Sequence, residues 1–199
     1  MNSRIKGNLS DSANDFKNIV WPEIQDLLGG GRLEPVEGVS DVDFARDLDF
    51  LAGIDGWQIL KNRGVRGIGS RVQWIGAHDS FTIRYTVESG AETEYAKRLK
   101  AIRSRSSEGL IFPHLTIQAY LNGRGGDLQS VAIVHTEELF EYVAGLVETE
   151  AIFMNPSPAT FGVRFNYQDN SEFIFVKWEH LLQDAGFESL QIFYPGEHC

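Results

Sequence analysis

The chain has 199 residues and 22.3 kDa, enough for one ordinary domain and hardly for two independent cores. Hydrophobic residues at 42% and charged residues at 23% exclude a disordered chain. A net charge of -10 argues against a non-specific nucleic-acid binder, and no apolar run reaches the ~20 residues of a membrane span.

The charge is unevenly spread. Residues 61–105 carry 10 basic and 4 acidic side chains, so this stretch is +6 while the remainder sums to -16. A basic middle between acidic flanks is either a phosphate-facing surface or a stretch that the flanks neutralise on folding. The only cysteine is Cys199, which rules out an intrachain disulfide and a cysteine-ligated zinc site. The N-terminal residues lack the apolar core of a signal peptide, so the expected location is the cytoplasm.

In chain order, Phe16, Ile19, Val20, Ile24, Leu27 and Leu28 recur at helical spacing and predict a helix over 14–28. Pro22 is expected to kink or restart it, and Gly29-Gly30-Gly31 to stop it. Residues 32–48 read as an acidic loop. Strands are predicted over 50–60 and 68–75, flanking a glycine-rich turn at Arg63–Gly67. The run 80–87 alternates, with Phe81, Ile83, Tyr85 and Val87 on one face and Thr82, Arg84 and Thr86 on the other. Three such neighbours suggest a meander.

A helix over 92–102 follows, with Tyr95, Leu99 and Ile102 inward and Lys97, Arg98, Lys100 and Arg103 on its other faces. Residues 115–121 and 128–135 read as a strand pair, and Thr136 as the cap of a helix reaching Val147. Pro156 and Pro158 mark a linker. Beyond it come a hairpin over 160–178, a short helix over 179–185 and an irregular tail. The expected fold is α/β or α+β, a central mixed sheet flanked by helices. Residues 1–150 form its core, and residues 151–199 form a hairpin and helix extension packed on the same domain.

The segment Gly53-Ile54-Asp55-Gly56-Trp57, followed by a strand with Arg71-Val72-Gln73, resembles the core of the PD-(D/E)XK nuclease superfamily. There an aspartate opens one strand, often as Gly-Ile-Asp, and the next strand carries an acid or glutamine, a spacer and a lysine. The resemblance spans roughly residues 14–135 and implies a restriction-endonuclease-like core and Mg²⁺- or Mn²⁺-dependent hydrolysis of DNA. It implies Asp55 as metal ligand, with Glu23 of the first helix or Asp49 assisting. Residues 71 and 73 leave the same strand face, as the family pair requires. In neither register, however, do they supply an acid and a lysine.

Under the resemblance Gln73 orients water or metal. Lys97 or Arg84 replaces the lysine, and Arg71, Arg84 or Lys97 stabilises charge building on phosphate. Arg84, Arg98, Lys100 and Arg103 would track the backbone. The alternative is an inactive nuclease-like fold that binds a nucleic acid or a protein partner, or pairs as a homodimer. The five histidines show no metal-ligand spacing, and no nucleophile elbow or phosphate-binding loop is present. Thr116, Gln118 and Tyr120 share one face of the 115–121 strand, giving it a polar side.

Overall fold

The computed structural model describes residues 11–36, 53–61, 64–74, 76–108, 110–154, 160–167 and 170–196. Asp49, the start of the 50–60 run, the Pro156–Pro158 linker and Cys199 lie outside the described residues.

The fold is α/β: a mixed six-stranded sheet, a second sheet of three strands, and helices against both. Helix α1 covers residues 11–24. Its middle turn, Phe16–Val20, is π-helical, and the Trp21 N–H returns to the Phe16 carbonyl. Pro22 then stands in the first turn of the α-helical segment Trp21–Ile24, where a missing N–H is tolerated. The proline therefore restarts the helix rather than breaking it.

Gly29, Gly30 and Gly31 all have positive φ, and the Gly30 N–H closes on the Gln25 carbonyl at 2.8 Å. The carbonyls left open at this end receive side-chain donors. Gln58, fully buried, donates to the carbonyls of Leu28 (3.2 Å) and Gly30 (2.7 Å). Arg66 donates to Leu28 at 2.6 Å and to the Gln58 amide oxygen at 2.7 Å. Gln58→Leu removes the side-chain donor of the Gly30 carbonyl and one acceptor of Arg66, and a thermal melt is expected to show a loss of about 1–3 kcal/mol.

Strands β1 (Arg32–Pro35), β2 (Gly56–Leu60) and β3 (Gly64–Gln73) run antiparallel in sequence. Next to β3 lies β5 (Leu115–Leu121), parallel to it, with Arg71 opposite Gln118 and Gln73 opposite Tyr120. Strand β6 (Leu128–His135) is antiparallel to β5, and β9 (Gln191–Phe193) completes the sheet. Strands β5 and β6 are buried almost throughout, as expected of central strands covered on both faces.

On one face Ile68, Val72, Ile117, Ala119, Val131 and Ile133 pack against Val20, Trp21 and Ile24 of α1. On the other, Tyr120, Ala132 and Val134 join a core shared with the second sheet and with helix α3 (Thr136–Glu148).

The second sheet has the order β4 (Ser80–Val87), β8 (Ser171–Lys177), β7 (Phe161–Asn166). This corrects the expected meander: β4 leaves the first sheet and pairs with β8, some 90 residues further on. Alternation shows which face a strand buries but not which strand it pairs with.

Other expectations are corrected as well. Residues 32–35 form the edge strand β1 rather than loop, and the tail contributes β9. Helix α2 runs Glu94–Glu108, beyond the expected end at 102. Thr136 is the first residue of α3 and not its cap; its hydroxyl meets the Thr116 hydroxyl at 2.9 Å. After α3 come α4 (Ala151–Met154) and α5 (Trp178–Gln183). Among the described residues, no helix is long and apolar enough to cross a membrane.

Candidate functional site

The polar face of β3 and β5 meets Thr82 of β4 and the first turns of α2. Period-two geometry puts Arg71 and Gln73 on one side of β3, and both side chains reach Thr82. Arg71 Nη1 donates to the Thr82 carbonyl (3.0 Å) and hydroxyl (3.1 Å), and Gln73 Nε2 to the same hydroxyl (3.3 Å). With both lone pairs engaged, the Thr82 hydroxyl gives its proton to Gln118 Oε1 at 3.1 Å. The Gln118 amide is thereby oriented, and its Nε2 is buried without a partner. At the far end Tyr120 Oη donates to the Ser80 carbonyl at 2.9 Å.

Glu94 is the centre of charge. Its Oε2 takes Arg71 Nη2 at 2.7 Å and the Arg84 N–H at 3.3 Å; its Oε1 takes Arg98 Nη1 at 3.0 Å. Burial alone would push this carboxyl up, but the Arg71 and Arg98 guanidiniums, joined by the Arg84 N–H and charge, outweigh burial and hold it below the usual glutamate value. Two cations on one anion leave the cluster at +1. Arg98 is 7% exposed, donates to the Gly53 carbonyl at 3.1 Å and lies 5.4 Å from the Phe140 ring centroid. Its guanidinium fills the space over Gly69, where a Cβ would stand 2.8 Å from Nη2.

Asp55 immediately precedes β2. One carboxylate oxygen accepts the Ser70 N–H and lies 3.3 Å from the Ser70 hydroxyl. Its backbone N–H bonds the Ile68 carbonyl at 2.8 Å, fixing it against β3.

The structure brings Arg71, Gln73 and Arg98 together, but it does not bring Glu23 to Asp55. Glu23 is exposed and borders a cleft beside Gly125 and Asp127 of the β5–β6 turn. Lys97 is partly exposed on α2, while Arg84 and Lys100 are exposed.

Arg103 bridges Glu141 (3.2 Å) and Glu148 (2.7 Å), and Arg105 meets Glu137 at 3.0 Å. The acidic α3 thus neutralises part of the basic α2. Sequence reasoning missed Glu94, although its place four residues before Arg98 is the spacing of a helical ion pair.

The Mg²⁺ or Mn²⁺ of the resemblance needs several oxygen donors converging on one point. Both oxygens of Glu94 face guanidiniums, and one oxygen of Asp55 serves Ser70. Among the described residues no group of three His, Cys, Asp or Glu side chains is placed to hold a metal. The described donors do not fit that ion. Comparison with protein families, with curated proteins and with solved structures gives no match.

Proposed function

We propose that this chain is a PD-(D/E)XK-like domain that binds a nucleic-acid phosphate on the Arg71 face without cutting it. The order of elements supports the kinship: a helix, three antiparallel strands, then, after β4 of the second sheet, a helix and a strand parallel to the third. So does Asp55 at the opening of β2, beside β3.

One observation carries the binding reading. Where the family pair belongs, Arg71 and Gln73 stand in a cluster of net charge +1, and the Arg71 side chain is 36% exposed. A guanidinium held at Thr82 and Glu94 is already oriented, so an incoming phosphate oxygen meets a fixed donor rather than a flexible chain. The neutralised outer side of α2 predicts a short footprint, with modest affinity and a shallow salt slope.

The test is fluorescence anisotropy with labelled single- and double-stranded DNA, in EDTA and then in Mg²⁺. Binding in EDTA is expected, weakened about tenfold by Arg71→Ala, with the salt slope reduced by roughly one. Lack of binding to either form would overturn the reading in favour of a protein partner. Mg²⁺-dependent cleavage abolished by Asp55→Ala would equally overturn it, as the mark of a working nuclease.

A further inference from the structure

Away from that face, three side chains form a linear relay between α3 and α5. Asp184 Oδ2 lies 2.7 Å from His180 Nδ1, and His180 Nε2 lies 2.6 Å from Tyr142 Oη. An ionised carboxylate only accepts, so Nδ1 carries a proton, and in the neutral imidazole Nε2 is bare. Tyr142 must then donate its hydroxyl proton to Nε2. A hydroxyl on an imidazole that a carboxylate orients from behind is the arrangement that activates a nucleophile.

The imidazole is held firmly. Its side chain is 12% exposed and lies between the Phe161 and Tyr142 rings, at 5.2 and 6.1 Å. Tyr142 also stacks edge-on against Phe187 at 5.4 Å. Burial and the nearby Asp184 carboxylate push the Tyr142 phenol up, so it cannot supply phenolate unaided at neutral pH. Attack requires a base in contact, and His180 is that base.

We propose that Tyr142, His180 and Asp184 constitute an acyl-acceptor site for neutral activated esters. In the step, Tyr142 Oη bonds to the acyl carbonyl carbon while its proton passes to His180 Nε2. The bond from that carbon to the leaving oxygen then breaks. The imidazolium, stabilised by Asp184, returns the proton to the leaving oxygen, giving an O-acyl tyrosine and an alcohol.

The surroundings select the electrophile. Asp184 is 64% exposed beside the relay, and Glu138, one helical turn before Tyr142, adds a further carboxylate. Both repel a phosphate, whereas the partly exposed ring of Phe161 offers an apolar surface to an uncharged acyl group.

The test treats the full chain with p-nitrophenyl acetate, follows nitrophenolate release, and maps acetylation by peptide mass. Acetyl is expected on Tyr142 in preference to Tyr167, which is 86% exposed. Its rate should fall at least about tenfold in His180→Gln and in Asp184→Asn. Tyr142→Phe retains the ring packing, so its melt should be unchanged while this acetylation disappears. Preferential labelling of Tyr167, or equal labelling of Tyr142 in folded Asp184→Asn, would overturn the proposal.

Discussion

Glu94→Gln is expected to lower stability by about 3–5 kcal/mol in urea unfolding, among the largest effects of any single polar change in this chain. Glu94 receives Arg71 at 2.7 Å and Arg98 at 3.0 Å. Arg98, 7% exposed, has no other carboxylate partner among the described residues. A neutral amide leaves that guanidinium buried without its counter-charge. The cost arises from the stranded cation rather than from the strength of the pair itself. Arg98→Met in the same chain should therefore recover much of the loss, because a flexible apolar side chain fills the volume over Gly69 without a charge to solvate. A double variant no more stable than Glu94→Gln alone would place the effect elsewhere.

The same carboxylate makes stability depend on pH. Its folded pKa lies below its ordinary value of 4.5. The unfolded chain thus takes up the proton first as pH falls, and the stabilisation is complete only above the ordinary value. It is lost as pH falls through the depressed folded value. In Glu94→Gln this part of the acid limb should flatten, since the titrating group is gone. Unfolding free energies measured from pH 7 down to pH 3 report the difference.

What the sequence made legible follows from local periodicity. The bounds of β4, β5 and β6 match the expected runs, because each alternates or is wholly apolar between clear turn residues. Edge strands were illegible. Arg32–Pro35 has two charges and a proline, and Gln191–Phe193 is too short to show a period. Strand partners were hidden too, since nothing near Ser80 points to Lys177.

The candidate site divides the same way. The shared direction of Arg71 and Gln73 followed from a period of two. The inward turn of Arg98 did not, because a helical wheel places it among the cations of α2 and only the vacant side-chain positions at Gly53 and Gly69 admit it. Glu94 was missed for a related reason: its importance comes from the burial of Arg98 and from a second partner, Arg71, 23 residues earlier on another element.

Trp178→Ala is expected to cost about 3–5 kcal/mol, comparable with the loss of Glu94 but by a different mechanism. Trp178 is wholly buried, with ring centroids 6.0 Å from Phe81 of the second sheet and 5.6 Å from Tyr120 of the first. It therefore fills the junction of the two sheets, and truncation opens a cavity that neither sheet can close alone. Trp178→Phe should be much milder, about 1–2 kcal/mol, within the common range for single changes. It retains one aromatic ring, and it removes an indole N–H that is buried without a partner and so offsets part of the lost packing. A phenylalanine variant as unstable as the alanine one would refute that accounting.

The same placement predicts the fate of a chain ended at residue 158. Such a chain lacks β8, the partner of β4, as well as Trp178 and β9. Phe81, Ile83 and Tyr120 would then face water, since their covering residues Ile174, Val176 and Trp178 come from the missing segment. Residues 1–158 are expected to lose the near-ultraviolet signature of packed aromatics and to bind a hydrophobic dye while retaining helical signal. A truncated chain that melts cooperatively with native aromatic signals would instead make residues 159–199 a true appendage.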